Sequence, residues 1–94
     1  MSTAIDDLWQ EIDRVDNQIS KLFAERMALV LDIAKFKEQN NLPVLNATRE
    51  REILERVTAK QNDEIAEYLR VLFTTIFDVS RSYQSKKFLR NSSV

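Results

Sequence analysis

Residues 4–40, AIDDLWQEIDRVDNQISKLFAERMALVLDIAKFKEQN, decide the fold. Apolar side chains recur at Ile5, Leu8, Ile12, Val15, Ile19, Leu22, Leu29 and Ile33. They step by three and four, the spacing of one face of an α-helix. No Gly or Pro interrupts the segment, so a single long helix is expected. Two positions on the same stripe hold Arg26 and Lys37. A cation on a core-facing stripe carries a desolvation cost unless something anionic meets it. The last helical segment repeats the feature, because its stripe of Ile65, Leu69, Leu72 and Ile76 runs on into Ser80 and Gln84. Polar groups on the core faces of two helices imply an enclosed polar pocket.

The rest of the chain agrees with an all-α class. Its 94 residues make one small domain, spanning 1–94. There is no Gly, one Pro and no Cys, and 44% of the residues are apolar. Such a chain lacks the punctuation of sheets and hairpins, while helix formers fill its long segments. Without Cys there is no disulfide, thiol nucleophile or thiolate metal site. Without His the commonest general base and metal ligand is missing, and without Gly there is neither a P-loop nor a dinucleotide fingerprint. No metal or cofactor is expected. A net charge of −1 gives no overall attraction to nucleic acid or anionic lipid. Residues 1–7, MSTAIDD, carry neither a basic region nor an apolar run, and nowhere do about 20 apolar residues occur together. A soluble, cytoplasmic protein is the expected class, with neither nucleic acid nor membrane as partner.

Three helices of unequal length are predicted. The first runs from about Ala4 to about Asn40, capped by Ser2 or Thr3, with Asp6 and Asp7 at the positive end of its dipole. It stops at Asn40-Asn41-Leu42-Pro43, since Pro disfavours helix at the residue before it and Asn tolerates left-handed geometry. The second, capped by Asn46 or Thr48, continues to about Lys60 with Ile53, Leu54 and Val57 facing inward. The third is capped by Asp63 and runs from Glu64 to about Leu89, leaving a frayed tail at 90–94. A first helix of about 36 residues would be about 54 Å long, whereas a compact globule of this chain length is about 32 Å across. The helix outruns its domain and leaves apolar stripe exposed, so a second copy of the chain is expected against it as an obligate homodimer. Trp9, Phe23, Phe36, Phe73 and Phe77 are expected in the core or that interface.

Arg26 and Lys37 lie eleven residues apart, which is three turns with about 20° of residual rotation and about 16 Å of rise. They face the same way, and their long side chains can converge on one small ligand. Arg49 and Glu50 open the second helix, one a cation and the other an acceptor for a ligand hydroxyl. Ser80 and Gln84, one turn apart, offer neutral donors. Each residue alone has an ordinary explanation: snorkelling or ion-paired cations, a first-turn Glu favoured by the dipole, hydrogen bonds between helices. Jointly, they describe a pocket for a small dianion carrying a hydroxyl.

The order of residues resembles the all-helical (AroQ-class, type II) chorismate mutase family. The landmarks are Ile12-Asp13-Arg14-Val15-Asp16, Ala24-Glu25-Arg26, Ile33-Ala34-Lys35-Phe36-Lys37, Pro43-Val44, Arg49-Glu50-Arg51-Glu52 and Ser80-Arg81-Ser82-Tyr83-Gln84, and they span Leu8 to Gln84. The resemblance implies an intertwined helical homodimer with two active sites, each using the first helix of both subunits. It implies rearrangement of chorismate to prephenate without cofactor or covalent intermediate. Carried over by position, Arg26 would hold a substrate carboxylate with Arg49 and Ser80. Lys37 and Gln84 would donate to the ether oxygen, and Glu50, with backbone near Asn46, would take the ring hydroxyl.

One departure stands out. Family members usually begin Leu-Arg-x-x-Ile-Asp, and that Arg reaches across the dimer to a carboxylate in the partner's site. Here the segment reads Leu8-Trp9-Gln10-Glu11-Ile12-Asp13, and an indole cannot supply the charge. Arg14, about 140° further around the helix, is a poor substitute; Lys86, Lys87 and Arg90 are other candidates. Asn46 also replaces a common Asp. A weakened or altered site is therefore expected. Two other functions remain open: a relative acting on isochorismate or aminochorismate, including a pyruvate lyase, and a mutase-like dimer used for binding or regulation. No regulatory or dehydratase domain is visible in the chain, so such control would require a separate protein.

Overall fold

Three α-helices follow one another in a computed structural model that describes residues 3–92: α1 (Ala4–Gln39), α2 (Ala47–Thr58) and α3 (Asp63–Ser92). A capping box starts α1. The Asp6 N–H donates to Thr3 Oγ1 and the Thr3 N–H donates to Asp6 Oδ2, both at 3.1 Å, satisfying two amides that the helix leaves free. These bonds also lower the Asp6 pKa. Of the two expected caps, Thr3 serves; Ser2 lies outside the described residues.

The stop at the far end has a specific geometry. Asn41 adopts a left-handed φ of 56°, the Leu42 N–H donates to Lys37 O at 2.8 Å and the Asn41 N–H to Glu38 O at 3.3 Å. This pair of bonds is a Schellman motif with Asn in the place Gly usually takes, and Pro43 bars continuation. Asn46 caps α2 by accepting from the Arg49 N–H at 3.0 Å, leaving Thr48 inside the helix.

Three boundaries differ from the sequence reading. Helix α2 ends at Thr58 instead of near Lys60, because the chain tightens there, with the Gln61 N–H donating to Thr58 O at 3.1 Å. Helix α3 is capped by Asn62 and not by Asp63, since it is Asn62 Oδ1 that accepts from the Ile65 N–H, at 2.9 Å. Both residue types cap well, so local preference alone does not choose between them. Residues 90–92, expected to fray, continue α3, no Gly or Pro being present to stop it; residues 93–94 lie outside the described part.

Helix α3 packs against both α1 and α2, whereas α1 and α2 do not pack on each other. They diverge from their shared partner and leave a cleft. Val30 of α1, Ile53 of α2 and Phe77 of α3 are buried around it, and Ala34 of α1 is buried outside it. Phe77 meets Phe73 edge to face, with centroids 6.1 Å apart, a favoured aromatic geometry. Three polar residues are buried with them: Thr58, Ser80 and Gln84. Thr58 is satisfied locally, its hydroxyl donating to Leu54 O at 2.7 Å.

The chain measures 60 × 30 × 16 Å with a radius of gyration of 17.3 Å, against about 12 Å for a compact domain of this length. Helix α1 causes the excess. Only Val30 and Ala34 of its 36 residues are buried, while Leu8, Ile12, Ile19 and Leu22 are 65, 56, 59 and 62% exposed. Trp9, Phe23 and Phe36 are exposed along the same helix, so of the five aromatics expected in the core or a dimer interface, the single chain buries Phe77.

Candidate active site

The cleft between the three helices holds a cavity of about 420 Å³. All seven residues singled out for chemistry line it: Arg26, Lys37, Asn46, Arg49, Glu50, Ser80 and Gln84. Helical spacing explains why they share one wall each. Arg26, Val30, Ile33 and Lys37 follow one face of α1, and Arg49, Ile53 and Arg56 follow one face of α2.

Arg26 is held from two sides. Its Nη1 donates to Ser80 Oγ at 2.9 Å, and its guanidinium lies 5.9 Å from the centre of the Phe77 ring, within cation–π range. Ser80 can accept from Arg26 because its own proton goes to Ile76 O at 2.7 Å. Burial and, to a lesser degree, the charge of Arg49 lower the Arg26 pKa. The guanidinium nonetheless stays charged.

Lys37 donates from Nζ to the carbonyl of Val44, 2.7 Å away in the loop before α2. That bond places the ammonium at the cavity rim without neutralising it. Burial lowers the Lys37 pKa, and the nearby Glu50 carboxylate raises it part of the way back. Gln84 is 6% exposed and its Oε1 has no hydrogen-bond partner. A buried unpaired amide oxygen is costly, and Gln84 is on the cavity wall.

Two further cations, given no role by the sequence reading, line the cavity. Arg81 donates from Nη1 to Glu50 Oε2 and from Nη2 to Asp78 Oδ1, and these carboxylates, Glu50 foremost, raise its pKa. Arg56 stands on the α2 wall. The signal was present: Phe77, Arg81 and Gln84 are spaced i, i+4, i+7 on α3, beside the stripe that the sequence reading followed, and Arg49 and Arg56 are spaced i, i+7 on α2. Counting both, five cations and one carboxylate line the cavity. The surplus of positive charge suits an anion. Among the described residues no group of three or more His, Cys, Asp or Glu is placed to hold a metal ion.

Trp9 does not line the cavity. It stands 17 residues before Arg26, about 26 Å along the helix. Lys86 and Lys87 are also absent from the wall, and Lys87 lies instead 5.8 Å from the Tyr83 ring. The Arg90 side chain is outside the described part.

A sequence model of chorismate mutase type II matches residues 8–85, most of the chain. The chain belongs to the type II chorismate mutase family. Over 78 residues it is 38% identical to the bifunctional chorismate mutase/prephenate dehydratase of Buchnera aphidicola subsp. Schizaphis graminum, covering 81% of this chain and 20% of that protein. Over 48 residues it is 42% identical to the chorismate mutase of Methanocaldococcus jannaschii, covering 51% of this chain and 48% of that one. The crystal structure of chorismate mutase from Helicobacter pylori in complex with prephenate is similar with a TM-score of 0.81 and 31% identity, over 90% of this chain and 93% of that chain. The chain spans about a fifth of the length of the bifunctional relatives it matches. The chorismate mutase resemblance seen in residues 8–84 thus extends to the three-helix fold.

Proposed function

We propose that the protein is a chorismate mutase, catalysing the Claisen rearrangement of chorismate to prephenate in aromatic amino-acid biosynthesis. The observation that carries this reading is the cavity of a type II family member walled by five cations and one carboxylate. Chorismate is a small dianion with a ring hydroxyl, and the wall offers a complement to one carboxylate, the hydroxyl and the ether oxygen. Arg26, backed by Ser80 and joined by Arg49, takes a carboxylate. Glu50, with backbone near Asn46, takes the ring hydroxyl. Lys37 meets the ether oxygen, and a half-turn of the Gln84 amide presents its NH2 to the same atom.

The reaction is intramolecular, so the site works by orientation and electrostatics. Holding both ends of the substrate favours the folded chair conformer in which the reacting carbons approach. As the ether bond breaks, negative charge grows on its oxygen, and the Lys37 ammonium is already in place to receive it. No step calls for a base, a nucleophile or a metal.

The proposal includes a homodimer, because the exposed apolar stripe of α1 needs a partner and a second α1 supplies a matching one. A cytoplasmic location belongs to the same reading; no described helix is long and apolar enough to cross a membrane. The test is incubation of purified protein with chorismate and identification of the product. Prephenate supports the mutase. Pyruvate would move the assignment to a lyase relative, and absence of turnover to a binding or regulatory dimer.

Trp9 favours the last alternative enough to be tested directly. If a partner's residue at this position contributes to the site, Trp9→Arg adds a charge-assisted contact to a substrate carboxylate. Such contacts are worth about 1.5–3 kcal/mol, so kcat/KM is expected to rise about 10-fold or more. Steady-state kinetics of the two proteins decide it: ordinary family activity in the wild type with no gain in Trp9→Arg would show that Trp9 weakens nothing.

A further inference from the structure

The proposed chemistry leaves Arg81 without a task, although it stands on the cavity wall. Its guanidinium bridges two carboxylates, Glu50 on α2 through Nη1 and Asp78 on its own helix through Nη2. The two arms are unequal. The Asp78 side chain is 65% exposed, so that contact is a solvent-screened i, i+3 pair of little energetic weight. The Glu50 arm joins side chains 29% and 25% exposed across two helices, where screening by salt is weaker. Asp78 therefore aims the fork, and Glu50 receives it.

Holding Glu50 this way has a chemical consequence. A carboxylate on an unrestrained side chain turns freely about its terminal torsion, whereas a planar guanidinium donor restricts that turn. With Oε2 committed to Arg81, Oε1 is left to accept a further hydrogen bond. The bridge commits the Nη1 and Nη2 ends of the fork to Glu50 and Asp78, so two-pronged binding of a substrate carboxylate by both ends would compete with it, and the arrangement suits orienting Glu50. Resting on the mutase reading, we infer that Arg81 is a positioning residue that holds Glu50 Oε1 ready for the ring hydroxyl and so sets the preference for substrates carrying one.

The test compares wild type, Arg81→Leu and Arg81→Lys on chorismate and on its analogue with hydrogen in place of the ring hydroxyl, followed as substrate or as competitive inhibitor. Arg81→Leu is expected to raise KM for chorismate about 10-fold with kcat little changed, the mark of lost uniform binding. The analogue cannot use Glu50, so its KM or inhibition constant should move less than about 2-fold. Lysine keeps the charge without the fork and should raise KM for chorismate about 3-fold, again sparing the analogue; this variant carries the test if Arg81→Leu does not fold. Equal losses on both compounds would mean that Arg81 touches a carboxylate or merely supports the helices, and no loss on chorismate would mean it does nothing here; either result overturns the assignment. Failure of wild type to convert chorismate would instead overturn the mutase reading and this inference with it.

Discussion

Lys37→Ala is expected to lower kcat for chorismate about 100- to 1,000-fold, or about 3 kcal/mol in the transition state. The reason is the timing of its charge. In the resting site the ammonium rests on the Val44 carbonyl at 2.7 Å, a neutral partner that a developing oxyanion easily outcompetes. The loss should therefore fall mainly on kcat, with KM moving less, because the contact strengthens only as the ether bond breaks. A KM effect with kcat intact would place Lys37 on a carboxylate instead.

The same residue makes a pH prediction. In the proposed role Lys37 works as the charged form, present below its pKa and lost as pH rises through it. Burial brings that pKa down from the ordinary 10.5, with Glu50 opposing part of the fall. The alkaline decline of kcat/KM should thus begin below the usual lysine range. Lys37→Gln, a weaker but neutral donor, should flatten the decline while lowering the plateau, and pH profiles of the two proteins read this directly. An unchanged alkaline limb in the variant would assign the limb to another group.

Ile12→Asp is expected to convert a homodimer into a poorly folded monomer. Ile12 is 56% exposed on the single chain, in line with Leu8 and Ile19, and burying such a side chain is worth about 2 kcal/mol. A twofold interface loses each contact twice, so the dissociation constant should rise about 1,000-fold from lost burial alone. Desolvating the new carboxylate adds to that. Sedimentation or light scattering should show the wild type as a dimer at micromolar concentration and the variant as a monomer, with reduced helicity. Activity should fall in parallel, since α1 then loses the support of its N-terminal half. A monomeric wild type would end the dimer proposal.

The site was more legible than its connections. The spacing of Arg26 and Lys37 on one helix, and of Ser80 and Gln84 on another, is local geometry that a 3.6-residue period dictates, and all four line the same cavity. Arg81 and Arg56 were equally periodic but lay beside apolar positions whose stripe could be drawn a few tens of degrees either way. Which edge of a stripe faces a cavity depends on how the helices cross. Glu50 is the clearest case: its sequence position suits a helix N-terminus, and nothing in it indicates that Arg81, 31 residues on, takes one of its oxygens.

The sequence by itself determined the all-α class, the three helices and their order, the stop at Pro43, and a first helix too long for one domain. These follow from hydrogen bonds and side-chain spacings within a few residues of one another. Only the tertiary structure decided that α3 is the shared partner of α1 and α2, that Asn62 caps in place of Asp63, that the Val44 carbonyl holds Lys37, and that Arg81 bridges Glu50 and Asp78. Most of those choices join groups far apart in sequence, and their distances are set by packing between helices, which no local period encodes.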